Sequence, residues 1–84
     1  MPNIKRIINN ELKKYPKGSE VTQCREYGDS YVIFITQKDA KGRKWGSSSF
    51  PVIKKLNGEV TYLDMFELPQ SGFSLVNYKS IKED

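Results

Sequence analysis

Histidine is absent from the 84 residues. Its absence removes the Ser–His–Asp triad, the Cys–His pair and the common zinc-finger ligand sets. With it goes the only side chain that titrates near neutral pH without perturbation. Cysteine occurs once, as Cys24, so no internal disulfide can close. A secreted domain of this size usually carries such staples, and the expectation is a reducing, cytoplasmic compartment. Cys24 itself reads as a half-buried, small apolar residue. Long hydrophobic runs are missing too. The longest, Tyr31-Val32-Ile33-Phe34-Ile35, falls far short of the ~20 residues that span a bilayer, so no membrane role is expected. Residues 1–10 alternate charge with Ile and do not pattern as a signal peptide. The phosphate-cradling loop GxxxxGK[ST], a calcium loop, internal repeats and low-complexity segments are all absent.

What remains suffices for one small domain, 1–84. Apolar residues make up 37% and charged residues 29%, with five Tyr, four Phe and one Trp, which excludes wholesale disorder. A chain of this length buries only roughly 60–65% of the surface it exposes unfolded, so the core is small. Fourteen Lys and Arg oppose ten Asp and Glu, a net charge of +4. The surplus is concentrated in residues 1–18, where Lys5, Arg6, Lys13, Lys14 and Lys17 face Glu11 alone. The rest of the chain is neutral. A charge asymmetry of this kind marks either a surface for an acidic partner or the solvated face of a helix.

Ile4, Ile7, Ile8, Leu12 and Tyr15 recur at helical spacing and predict an amphipathic helix from Asn3 to Tyr15. Asn3 serves as its N-cap. Pro16 ends it, leaving Lys13 and Lys14 beside the last carbonyls, where positive charge is favoured. Ser19–Tyr27 reads as a polar strand with Val21 and Tyr27 on one face and Cys24 on the other. After a Gly28-Asp29 turn, Ser30–Gln37 reads as a central strand, apolar on both faces. A charged loop, residues 38–43, leads into Lys44–Ser49, which has no clear pattern. Phe50–Leu56 and Glu59–Leu63 form a hairpin, with Val60 and Tyr62 on one face. Asn57-Gly58 suits a type I′ turn with positive φ at both central residues. Asp64–Gly72 is a loop or a single helical turn, Phe73–Tyr78 a last short strand, and residues 80–84 a frayed tail. The class is therefore α+β: an N-terminal amphipathic helix packed on an antiparallel sheet of four to five strands.

Candidate chemistry is sparse. Acids and bases are limited to carboxylates, lysines and tyrosines, and no spacing sets two carboxylates face to face. Glu20 and Glu26 share a strand face but lie far apart. Gly46-Ser47-Ser48-Ser49 offers hydroxyls without a helix to follow and reads as a polar edge or bulge. Neither a catalytic centre, a metal site nor a cofactor site is expected. Two binding readings remain. In the first the chain contacts a protein partner through aromatic and Arg anchors, with Arg43, Trp45 and Tyr62 as candidates. In the second it binds nucleic acid through Lys5, Arg6, Lys13 and Lys14 on the helix, with Trp45 as a stacking surface.

The segment Ser49-Phe50-Pro51-Val52-Ile53-Lys54-Lys55-Leu56-Asn57-Gly58-Glu59-Val60-Thr61-Tyr62 resembles the core signature of the YrhB-like bacterial toxin-immunity domains. In that family an amphipathic N-terminal helix precedes an aromatic-rich strand, and a proline enters a strand that leads into a Gly-Glu-Val hairpin. The corresponding parts here are Asn3–Tyr15, Tyr31–Ile35 and Pro51–Tyr62. The sequence departs from the family at Lys54 and Lys55, where an acidic residue is usual, and after Leu63. The resemblance implies a small, non-enzymatic protein that binds and neutralises a partner, a toxin, in the same cytosol. It supplies no binding residues.

Overall fold

The computed structural model describes residues 3–38, 44–46 and 49–81. One helix, α1 (Ile4–Leu12), packs on an antiparallel sheet built from β1 (Glu20–Tyr27), β2 (Ser30–Lys38), β3 (Lys44–Gly46), β4 (Ser49–Lys54), β5 (Val60–Asp64) and β6 (Ser74–Val76). The five-strand path runs β5-β4-β2-β1-β6, and β3 pairs with β2 beyond the end of β4. An α+β fold with a helix on one sheet face is thus what the hydrophobic pattern anticipates. No helix among the described residues is long and apolar enough to cross a membrane.

Helix α1 begins as its sequence dictates. The Asn3 side chain accepts from the Arg6 backbone N–H at 3.0 Å, satisfying one of the free donors of the first turn. The helix stops at Leu12 rather than Tyr15. Residues before a proline avoid the helical region. The chain tightens accordingly, with Lys14 N–H bonding Glu11 O and Tyr15 N–H bonding Leu12 O, three residues apart rather than four. Lys13 becomes the C-cap, and neither Lys13 nor Lys14 lies in the last helical turn.

The sheet has two distinct faces because alternate residues point opposite ways. On the helix side, Ile4 and Ile8 join Cys24, Ile33, Ile35 and Ile53 in the main core. Val32, Phe50 and Leu68 form a second cluster on the other side, flanked by Tyr27, Phe34, Val52 and Leu63. β2 is therefore apolar on both faces, as a central strand must be. Val21 does not share a face with Tyr27. The register shifts between Val21 and Gln23, a bulge that turns Val21 toward the helix-side core and sets Glu20 and Glu26 on opposite faces.

Turn chemistry explains the links. Gly28 occupies the first of two turn residues with φ 56°. The β4–β5 link is not a type I′ turn, because Asn57 has negative φ and only Gly58 is left-handed, at φ 70°. Gly58 N–H bonds Lys54 O at 2.8 Å, Lys54 N–H bonds Glu59 O, and the Asn57 side chain accepts from Glu59 N–H at 2.9 Å. The Asn side chain thus stabilises a longer loop instead of adopting positive φ itself. Between β5 and β6 the chain crosses the sheet on the side away from the helix. Leu68 anchors this crossing in the second core, and the Tyr27 hydroxyl donates to Pro69 O at 2.6 Å. Past β6 a 3₁₀ turn, Tyr78–Ser80, follows, and Ile81 packs on the main core. The expected fraying therefore does not reach Ser80 and Ile81, and its remainder, residues 82–84, lies outside the described residues.

Cys24 is 2% exposed. Burial, and then the nearby Glu26 carboxylate, push its thiol up to about 11. The reactive thiolate is scarce at neutral pH, which fits an apolar packing residue. A thiol-specific chromogenic disulfide should leave native protein unmodified and titrate one equivalent after unfolding. Rapid stoichiometric labelling of the native chain would contradict this.

Candidate interaction surface

Of the anchors read from sequence, Arg43 lies outside the described residues. Trp45 pairs through its backbone with Gln37 in β3, and its side chain lies outside what the structure describes. Tyr62 is 51% exposed on β5. Its hydroxyl donates to Glu11 Oε2 at 2.8 Å and accepts from Lys14 Nζ at 3.3 Å. Lys14 Nζ also reaches Glu11 Oε1 at 3.0 Å. A residue expected at a protein interface and one expected on phosphates thus meet around one buried carboxylate. Glu11 falls on the apolar stripe of α1, three residues past Ile8, and is buried with the core. Pairing and hydrogen bonding offset the cost of burying its charge.

The other basic residues do not converge. Lys5 Nζ donates to Lys79 O at 3.3 Å, while Arg6 and Lys13 are exposed. Lys13 and Lys17 line an open cleft of about 660 Å³ below the helix C-terminus, with Leu12, Tyr15 and Pro16.

The Lys14 ammonium is held above the ordinary lysine value of 10.5, first by its hydrogen bond to Glu11 and then by that to Tyr62. A value raised on folding contributes stability that is complete below the unfolded value of 10.5 and is lost as pH climbs through the folded one. Lys55, raised chiefly by its bond to Glu26, adds a loss of the same sign. Glu11→Gln should therefore flatten the alkaline fall in urea-unfolding stability relative to wild type. Tyr62→Phe, which leaves one carboxylate oxygen without its donor, should cost about 1 kcal/mol at neutral pH. An unaltered alkaline limb in the first variant, or no change in the second, would contradict the network.

Beyond these residues lies a surface the sequence reading missed. Met65–Glu67 forms a 3₁₀ turn, with Asp64 as N-cap accepting from Phe66 N–H at 3.1 Å. This turn presents Phe66 at 93% exposure beside Met65 at 51%. Asp64 and Glu67 flank the pair. The signal was available in sequence as an Asp-x-x-Glu capping pattern ahead of Pro69. Why a phenylalanine should be raised into solvent was not legible there. The turn is held from both sides, by β5 before it and by buried Leu68 after it.

A second feature lies under the same crossing. The Arg25 guanidinium is stacked 4.5 Å from the Phe34 ring centroid and 4.2 Å from that of Phe73. Its Nε donates to Gln23 at 3.0 Å and its NH1 to the Tyr27 hydroxyl at 3.2 Å. Cation–π contact and stem packing make it a brace for the crossing. On the helix side, Lys55 joins Glu26, donates to Gly28 O at 3.0 Å and stands 4.9 Å from the Tyr31 ring centroid, tying the two hairpin turns together.

Among the described residues no three of His, Cys, Asp or Glu stand together as a metal-binding group. Compared with protein-family models, curated proteins and solved structures, the chain matches none.

Proposed function

We propose that the chain is a small, non-enzymatic protein-binding module of the inhibitor or toxin-immunity kind, acting in the bacterial cytoplasm by covering a functional surface of a partner protein. The observation that carries this reading is Phe66, raised almost fully into solvent on a capped and braced turn. Large aromatic side chains are the residues that most often anchor protein interfaces, seated in a pocket of the partner. A lone exposed apolar residue is ordinary. Two adjacent ones, Met65 and Phe66, on a turn fixed at both ends, are better suited to insertion. Tyr62 is half-exposed on the strand leading into this turn. Its flanking carboxylates, Asp64 and Glu67, favour a partner whose pocket is rimmed by Lys or Arg.

The basic helix face supports nucleic-acid binding less well. One of its four cations, Lys14, is committed to Glu11, and a second, Lys5, to a backbone carbonyl. Capture from native lysate with the whole chain as bait tests the choice. One stoichiometric protein partner, lost with Phe66→Ser and kept with Lys13→Ala, is expected. Enrichment of RNA instead, weakened by salt and by Lys13→Ala, would transfer the function to the helix.

A further inference from the structure

The chain carries both halves of a complementary pair. One is the turn just described, an aromatic peg between two carboxylates. The other is the cleft below the helix C-terminus, where Leu12, Tyr15 and Pro16 supply apolar surface and Lys13 and Lys17 supply charge. It is a shallow, open depression of about 660 Å³, suited to a protein surface rather than to an enclosed small molecule. Neither lysine forms an ion pair among the described residues, and Phe66, at 93% exposure, does not sit in the cleft of its own chain.

Resting on the reading of Phe66 as a docking anchor, we propose that, when no partner protein is bound, the peg of one copy seats in the cleft of a second copy, and reciprocally, forming a twofold dimer that the partner displaces. Opposite charges meet at each contact, Asp64 and Glu67 against Lys13 and Lys17. An anionic lipid or a nucleic acid would instead be repelled by the two carboxylates beside the peg. Tyr62, two residues before Asp64, bonds Glu11 and Lys14, the helix end that borders the cleft. β5 therefore runs beside the helix end that borders the cleft, and the peg follows β5 in the chain. β5 is the outer strand of the sheet, with no further strand paired beyond it among the described residues. Two copies can approach along that edge, and contacts exchanged both ways close the assembly at two chains.

Sedimentation equilibrium of the whole chain tests this. The apparent mass should rise from 9.7 kDa toward twice that value between micromolar and millimolar concentration, less steeply at high salt. Phe66→Ser should remain a single chain throughout while keeping the wild-type thermal midpoint. Lys17→Glu and Glu67→Lys should each weaken the dimer about two- to fivefold, and the two together should restore it. A single-chain mass at every concentration would overturn the dimer and leave Phe66 free for a different partner. A doubled mass that survives Phe66→Ser would overturn it as well, by placing the contact elsewhere.

Discussion

Ile33→Ala should remove about 3 kcal/mol of folding stability and lower the thermal midpoint by about 15 °C. Ile33 is fully buried at the middle of β2, the strand that pairs with β1, β3 and β4. It faces Cys24 across the β1–β2 ladder and packs with Ile4, Ile8, Ile35 and Ile53, so truncation leaves a void that helix and sheet must collapse to fill. Collapse is hindered because the opposite face of β2 is tied down by Val32 in the second core. A domain of this length holds only about 4–13 kcal/mol in all, so the loss is a large share of it. Leu56→Ala, at an exposed turn, should stay within about 0.5 kcal/mol of wild type. Urea unfolding monitored by circular dichroism measures both. An Ile33→Ala variant as stable as Leu56→Ala would mean that the helix does not close the core as described.

Phe66→Ala should produce the reverse pattern. Its ring is surrounded by solvent, so the thermal midpoint should hold, while affinity for the protein partner should fall about thirtyfold or more, equivalent to ~2 kcal/mol. The difference from Ile33 is one of address. An aromatic ring in the core contributes before binding, and one in solvent contributes only when a partner desolvates it. Asp64→Ala should act through the same residue, since loss of the cap loosens the turn that aims the ring. Titration of the captured partner against both variants provides the measurement. Undiminished affinity in Phe66→Ala would remove the anchor.

Most of the scaffold is legible in the sequence because local rules govern it. The Ile4–Ile8 stripe, the Asn3 cap and the doubly apolar Tyr31–Ile35 run each follow from spacing or from one side chain's geometry. The errors share another origin. The helix end depends on how the chain prepares for Pro16 over several residues. Val21 changes face because β1 slips by one residue against β2, and register belongs to a pair of strands rather than to either sequence. Asn57 carries a strong turn signature but solves the turn with its side chain. Glu11 sits in phase with the apolar stripe, yet its partner Tyr62 is 51 residues away, so no local pattern connects them. The proposed docking surface is the least legible part. The interface signal in the sequence is an aromatic beside basic residues, as at Arg43 and Trp45, whereas Phe66 stands between acids, and its exposure follows from the crossing that buries Leu68 two residues later.

Amide hydrogen exchange on the complex with the captured protein partner tests the central claim most directly, namely that the 64–67 turn is the surface that engages it. Slowed exchange at Met65, Phe66 and Glu67 relative to the dilute single chain, with the amide of Arg6 unchanged, is the predicted result. Protection confined to the helix, with the turn exchanging as fast as in the free chain, would contradict it.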